Sequence, residues 1–106
     1  MDLNVMTQDN FENEVLQAKM PVVVDFFADW CGPCKMAAPV LEKLAEEFKD
    51  KVKIVKVDID KAQDLAGQYK VMSIPTVIAF KNGEEVDRKV GFPGEEGYKK
   101  MIEAVI

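Results

Sequence analysis

Residues 22–34 read VVVDFFADWCGPC, and this stretch carries most of the information about the fold. Its first six residues are β-branched or aromatic apart from one acid, Asp25. The apolar run is almost continuous rather than alternating, which is typical of a strand covered on both faces. We therefore interpret residues 22–28 as the central strand of a sheet. A Cys-x-x-Cys sequence follows directly, where the strand gives way to a helix.

Strand and helix patterns alternate along the rest of the chain. Predicted strands cover residues 3–6, 22–28, 52–59, 76–80 and 85–90. The first predicted helix covers about residues 9–18, with Thr7 as its cap, and the second begins at Cys34 and runs for about four turns. The third covers residues 62–69 with a stop near Gly67, and the fourth is a C-terminal segment after Gly94. Asn82-Gly83 favours a type I′ hairpin between the last two strands. The order β-α-β-α-β-α-β-β-α predicts an α/β fold, a mixed sheet with helices on both faces, in one domain over residues 1–106.

Charge and hydropathy exclude several classes of function. The chain has a formal net charge of −5 at pH 7, the wrong sign for binding a phosphate backbone, so we expect no nucleic-acid partner. No apolar run reaches the roughly 18 residues of a membrane helix, and we expect no membrane association. Asp2 stands where a signal peptide carries basic residues, which favours a cytoplasmic location.

The chain contains no histidine and two cysteines, Cys31 and Cys34. Residues three apart on a helix share a face, so a disulfide between them can close with little rearrangement. Free N–H groups and the helix dipole at a helix start favour a thiolate at Cys31, and Pro33 fits there because first-turn residues need no N–H. A structural clip, or half of a zinc or iron–sulfur site shared by two chains, remains an alternative, although zinc takes about four ligands.

Several motifs together resemble the thioredoxin family over essentially the whole chain. They are WCGPCK at 30–35, Asp25 upstream of it, IPT at 74–76 and KNG at 81–83. The resemblance implies a thioredoxin fold and a cytoplasmic protein-disulfide reductase that is maintained by a thioredoxin reductase and acts on disulfide-containing proteins. We expect a monomer with no bound cofactor.

The resemblance also implies roles for individual residues. Cys31 would be the attacking nucleophile and Cys34 the resolving thiol of a reversible Cys31–Cys34 disulfide. The buried acid of the family falls on Asp25, its lysine partner on Lys56 and its cis proline on Pro75. The residues that would border the substrate groove are Trp30, Gly32, Pro33, Ile74, Pro75 and Gly91.

Asp25 stands out independently of the resemblance. A carboxylate in a doubly covered strand loses hydration, which raises its pKa into a range useful for relaying the proton of Cys34. Each of three assigned roles has a plainer alternative. Asp25 could be hydrogen-bonded to a backbone group, Lys56 could lie on a solvated strand face, and Trp30 could only fill the core.

Residues 92–97, FPGEEG, are bulkier and richer in glycine than the family's small polar turn, which bears on partner choice.

Two other functions stay open at this level. A disulfide-forming oxidant or isomerase is disfavoured, since an export signal and a histidine between the cysteines are expected for it. A non-catalytic binding module would use the groove near Trp30, Pro75 and Gly91, with the redox state as a switch.

Overall fold

A computed structural model describes residues 2–106. The strands are β1 (Asn4–Met6), β2 (Val22–Phe27), β3 (Lys53–Asp58), β4 (Thr76–Lys81) and β5 (Glu84–Val90). The helices are α1 (Gly32–Glu47), α2 (Gln63–Gln68), α3 (Glu95–Val105) and a short π-helix at Glu12–Leu16. Within the described range, none of these helices has both the length and the hydropathy to cross a membrane.

The five strands form one mixed sheet in the order β1-β3-β2-β4-β5. β2 lies in the centre, parallel to β3 on one side and antiparallel to β4 on the other. Its first five residues are all buried, which agrees with the continuous apolar pattern. The predicted α/β fold with a mixed sheet is confirmed.

The sheet separates two hydrophobic cores. On one face α1 and α3 pack over Val23 and Val77, and we call this the α1–α3 core. On the other face the π-helix and α2 cover Val24 and Phe26. Side chains alternate along a strand, so Asp25 points to the same face as Val23 and belongs beneath α1 and α3.

The first helix differs from its prediction. It is a π-helix of five residues, Glu12–Leu16, rather than an α-helix over 9–18. The Gln17 N–H donates to the Glu12 carbonyl at 2.9 Å, an i→i+5 bond, and Thr7 gives no side-chain cap. Instead, the Thr7 backbone N–H donates to Asn10 Oδ1 at 2.7 Å. Apolar spacing over one turn does not distinguish the two helix types, and Phe11 and Val15 are buried in the core here.

The predicted helix over 62–69 with a stop near Gly67 is confirmed as α2, which ends one residue after Gly67, at Gln68. The chain turns at Lys70, which has a φ of 55°. The Val71 N–H donates to Ala66 O at 2.9 Å and the Lys70 N–H to Gly67 O at 3.2 Å. These two bonds are those of a Schellman motif, with a lysine in the left-handed position that glycine usually takes.

The predicted hairpin is confirmed. Asn82 and Gly83 both have positive φ, 55° and 82°, as a type I′ turn requires. A Cβ at Gly83 would lie 2.9 Å from the Leu16 carbonyl oxygen, so close packing against the π-helix also requires glycine there. The C-terminal helix is confirmed as well, with Tyr98, Met101, Ile102 and Val105 buried.

Candidate active site

The two cysteines lie at the N-terminal tip of α1 and are joined by a disulfide, with a Cα–Cα distance of 5.3 Å. Cys31 is the N-cap residue, and its Sγ accepts the backbone N–H of Cys34 at 3.2 Å. The sulfur therefore takes the position in which an N-cap side chain satisfies a free helix N–H. Because α1 begins at Gly32, the pair occupies the very start of the helix, with Pro33 in its first turn.

Two other segments of the chain meet Cys31. Its Sγ lies 3.7 Å from the Ile74 carbonyl oxygen. The Ile74–Pro75 bond is cis, as the resemblance implied. The Gly91 N–H donates to the Pro75 carbonyl at 2.8 Å. The tip of α1, the loop before β4 and the residue after β5 are thus brought together around the reactive sulfur.

An open groove of about 310 Å³ begins beside the disulfide. Its lining is largely apolar and consists of Trp30, Ile59, Val71, Met72, Ser73 and Ile74. Trp30 is 68% exposed and Met72 is 92% exposed, although both are large hydrophobic residues. Trp30 therefore does not fill the core. Gly32 and Pro33 are exposed on the adjacent helix tip.

A second cavity, of about 150 Å³, lies behind the disulfide, where Asp25, Cys34 and Lys56 share its wall. Asp25 is only 2% exposed. Its Oδ1 has no hydrogen-bond partner among residues 2–106. Burial raises the pKa of Asp25 to about 7, against the smaller opposing effect of the Lys56 charge. The alternative of a backbone-bonded Asp25 finds no partner for this oxygen in that range.

Comparison with known proteins identifies the family. Residues 2–104 match the family model described as Thioredoxin. The chain belongs to the thioredoxin family. Its sequence is 54% identical over 81 residues to the thioredoxin of Bacillus subtilis (76% of this chain, 78% of the relative). It is 48% identical over 89 residues to that of Rickettsia typhi (84% and 85%) and 49% over 86 residues to thioredoxin 1 of Synechococcus elongatus (81% and 80%).

Membership of the thioredoxin family gives the disulfide its chemical meaning. The protein is a disulfide oxidoreductase that carries out thiol–disulfide exchange, and its substrates contain disulfides. The two cysteines are bonded to each other, and within residues 2–106 no three His, Cys, Asp or Glu side chains form a group that could hold a metal.

The structure places Lys56 beside Asp25, where the thioredoxin-family resemblance puts it. The two residues are direct partners across β2 and β3. The Lys56 side chain is half-buried and its Nζ lies 5.1 Å from the centre of the Phe27 ring, a cation–π distance. It borders the cavity without a salt bridge to Asp25 among the described residues, so its charge acts on the carboxyl group from a distance.

Sequence reasoning missed Asp60. The indole Nε1 of Trp30 donates to Asp60 Oδ2 at 2.9 Å, and the Asp60 N–H donates to Asp58 Oδ1 at the same distance. The signal was available, because Trp30 and Asp60 follow the carboxyl ends of β2 and β3. Those ends lie together once the two strands are paired in parallel, with Phe27 opposite Asp58.

Neither Gly91 nor Phe92 lines the groove, and the two residues occupy different positions behind it. Gly91 is held behind Pro75 rather than on the lining of the groove. Phe92 is half-buried and packs on the α1–α3 core, with its ring centre 5.8 Å from that of Tyr98. The bulk that sets this chain apart from the thioredoxin-family turn is therefore directed inward, beneath the wall of the site.

Proposed function

We propose that this protein reduces disulfides of other proteins with Cys31 as the attacking sulfur and Cys34 as the resolving sulfur. The observation that carries the proposal is the position of Cys31 at the N-cap of α1, with the Cys34 N–H directed at its Sγ. In the dithiol form the same N–H and the helix dipole stabilise a negative charge on Cys31.

The electron and proton balance follows from thiol–disulfide exchange. The Cys31 thiolate attacks one sulfur of the substrate disulfide, forms a mixed disulfide and releases the other substrate sulfur as a thiolate. Cys34, once deprotonated, attacks Cys31, closes the intramolecular disulfide and releases the second substrate thiolate. Two electrons pass to the substrate, and the protons of the two protein thiols end on the substrate thiols.

Asp25 is the proposed base for Cys34. The two residues share the wall of the cavity behind the disulfide. That volume has room for a few water molecules, at roughly 30 Å³ each, which can carry a proton between carboxylate and sulfur. A pKa of about 7 lets Asp25 accept and return a proton near neutral pH. Lys56 favours the ionised form of Asp25 by its positive charge.

The groove is the proposed binding site for the polypeptide on either side of the substrate cysteine. Trp30 and Ile74 give it apolar walls, Pro75 and Gly91 fix its back, and Gly32 and Pro33 form the helix tip where the substrate disulfide arrives. Burial of exposed apolar side chains such as Trp30 stabilises the complex without requiring one substrate sequence.

Substitution of each cysteine tests the two roles. Cys31→Ser should lower the rate of insulin reduction, with dithiothreitol as electron donor, to the rate of dithiothreitol alone, because no attacking thiolate remains. Cys34→Ser, reduced and then mixed with insulin in the absence of dithiothreitol, should accumulate a covalent complex visible by mass spectrometry under non-reducing conditions.

Other outcomes for the two cysteine variants would contradict the proposed roles. Wild-type rates from Cys31→Ser would favour a binding module over a reductase. Normal turnover by Cys34→Ser, with no covalent complex, would contradict the resolving role.

We further propose that a thioredoxin reductase regenerates the dithiol and that the protein works as a cytoplasmic monomer, without nucleic acid as a partner. The net charge of −5 supports the last point, and the need for a reducing compartment supports the location. Replacing dithiothreitol by a purified reductase with NADPH, or with reduced ferredoxin, should sustain insulin reduction with one of them. Failure with both donors would contradict the role of a thioredoxin reductase. A dimer in size-exclusion chromatography would contradict the monomer, and absence from the cytoplasmic fraction would contradict the location.

A further inference from the structure

Tyr98 is a polar residue in an apolar place. It lies in α3, is completely buried in the α1–α3 core and has the ring of Phe92 against it. A phenylalanine would fill the same volume without the cost of burying a hydroxyl group. The hydroxyl donates instead to the carbonyl oxygen of Gly91, at 3.3 Å.

Both backbone polar groups of Gly91 are hydrogen-bonded. Its carbonyl accepts the Tyr98 hydroxyl and its N–H donates to the Pro75 carbonyl at 2.8 Å. Its φ of 85° is left-handed, which turns the chain sharply away after β5. The last residue pair of the β4–β5 ladder is Thr76 with Val90. The bond between Gly91 and Pro75 is therefore one further rung, beyond the end of the regular ladder.

The Gly91–Pro75 hydrogen bond is connected to the reactive sulfur through Ile74. Pro75 follows Ile74, whose carbonyl oxygen lies 3.7 Å from Cys31 Sγ. A continuous series of contacts thus runs from the buried phenol through Gly91 and Pro75 to the mouth of the groove. The ends of a ladder fray readily when their last bond stands alone.

We propose that Tyr98 is a positioning residue that clamps the open end of the β4–β5 ladder and so fixes the back of the substrate groove. The inference rests on the proposed function, because the position of Ile74 and of Pro75 behind it affects KM only if the groove binds substrate. Tyr98 itself touches neither cysteine and acts on binding rather than on sulfur chemistry.

The surroundings keep the phenol in its donating form. Burial raises the pKa of Tyr98 further above its usual value, and the charge of Asp25 on the same face of the sheet adds to this effect. The hydroxyl therefore keeps its proton at every pH at which Asp25 titrates, and the clamp holds in both states of Asp25.

Tyr98→Phe tests the proposal, because it removes the hydroxyl and keeps the ring. Tyr69→Phe is the matched control, since Tyr69 packs with Phe11 and Phe80 on the opposite face of the sheet. In insulin reduction, Tyr98→Phe should raise KM about fivefold at unchanged kcat, the effect of losing one hydrogen bond of ordinary strength. Tyr69→Phe should leave both constants unchanged.

Two further measurements separate positioning from general destabilisation. Reduction of hydroxyethyl disulfide, which is too small to fill the groove, should proceed at the wild-type rate in Tyr98→Phe. Native-state hydrogen exchange should be faster at the Gly91 amide in Tyr98→Phe and unchanged at Val77 in the middle of β4.

An unchanged KM for insulin, or unchanged exchange at Gly91, overturns the proposal. Equal loss with the small disulfide overturns it too, because the effect would then lie in the chemistry. The exchange measurement does not depend on activity, so it tests the clamp even if Cys31→Ser disproves the proposed function.

Discussion

An acid buried in a hydrophobic strand holds its proton more tightly than the same acid in the unfolded chain. For Asp25 the pKa is about 7 in the folded protein against a reference value of 3.8. This tighter binding of the proton adds to the free energy of unfolding. The contribution is fully present below pH 3.8 and is lost as the pH rises through about 7. Above that pH, ionised Asp25 costs the fold roughly 4 kcal/mol, at about 1.4 kcal/mol for each pH unit between the two values.

Asp25→Asn should remove this cost. In urea titrations, the free energy of unfolding of the variant should exceed that of the wild type by several kcal/mol at pH 8, and the difference should shrink towards pH 4. Asp50→Asn, at an exposed position after α1, is the control and should follow the wild-type curve. Parallel curves for Asp25→Asn and wild type would show that the fold does not discriminate against the Asp25 charge.

Residues differ in how far the sequence alone identifies them. Asp25 was predictable because an acid in a doubly covered strand has a physical signature within its own segment. Asp60 was not identified, since its bond to Trp30 joins two loops and becomes visible only when β2 and β3 are placed side by side. Tyr98 reads as an ordinary core position on α3, and its hydroxyl partner Gly91 appears only in three dimensions.

Among the elements, α2 has an unusual end. Gly67 lies inside the helix and has free space where a Cβ would be, whereas Lys70 takes the left-handed turn position. Helix propensity therefore argues for a side chain at Gly67, and turn geometry argues for glycine at Lys70.

Gly67→Ala and Lys70→Gly should each raise the free energy of unfolding by about 0.5–1 kcal/mol, the former by helix propensity and the latter by relief of the positive φ. Urea titration at fixed pH measures both. The control is Gly83→Ala in the hairpin, which should destabilise because of its φ of 82° and the nearby Leu16 carbonyl. A destabilising Gly67→Ala would contradict the helical backbone and the free space at Gly67.

The elements that the sequence predicted well are those with long or specific signals. Continuous β-branched and aromatic runs identified β2 and β4, and Asn82-Gly83 identified the hairpin. The N-terminal helix was wrong in type and length, because its single turn is held by an i→i+5 bond that leaves no distinct apolar spacing. The end of α2 was predicted to within one residue, although Lys70, rather than Gly67, takes the left-handed position that follows the helix.

For the whole molecule, the disulfide closes only a four-residue loop at the tip of α1 and leaves both cores untouched. Loop-closure entropy for so short a loop corresponds to about 2 kcal/mol in favour of the oxidised form. Oxidised and reduced protein should therefore unfold in single cooperative transitions that differ by about this amount.

Urea titration at pH 5, of the oxidised protein and of protein reduced beforehand at higher pH, checks this, since Asp25 is protonated there in the oxidised form. The far-ultraviolet circular dichroism of the two native states should coincide. A reduced form as stable as the oxidised one would contradict the prediction. Two separate transitions would contradict the single domain over residues 1–106, which until then stays a prediction.

The outermost strands of the sheet are built differently from the inner ones. β1 is only three residues long, and five of the seven residues of β5 are charged: Glu84, Glu85, Asp87, Arg88 and Lys89. Unpaired strand edges recruit other chains into aggregates, and short or charged edges resist this. The protein can thus approach polypeptides that themselves expose unpaired strands, exchange one covalent bond with them and part again, without being drawn into a shared β-ladder.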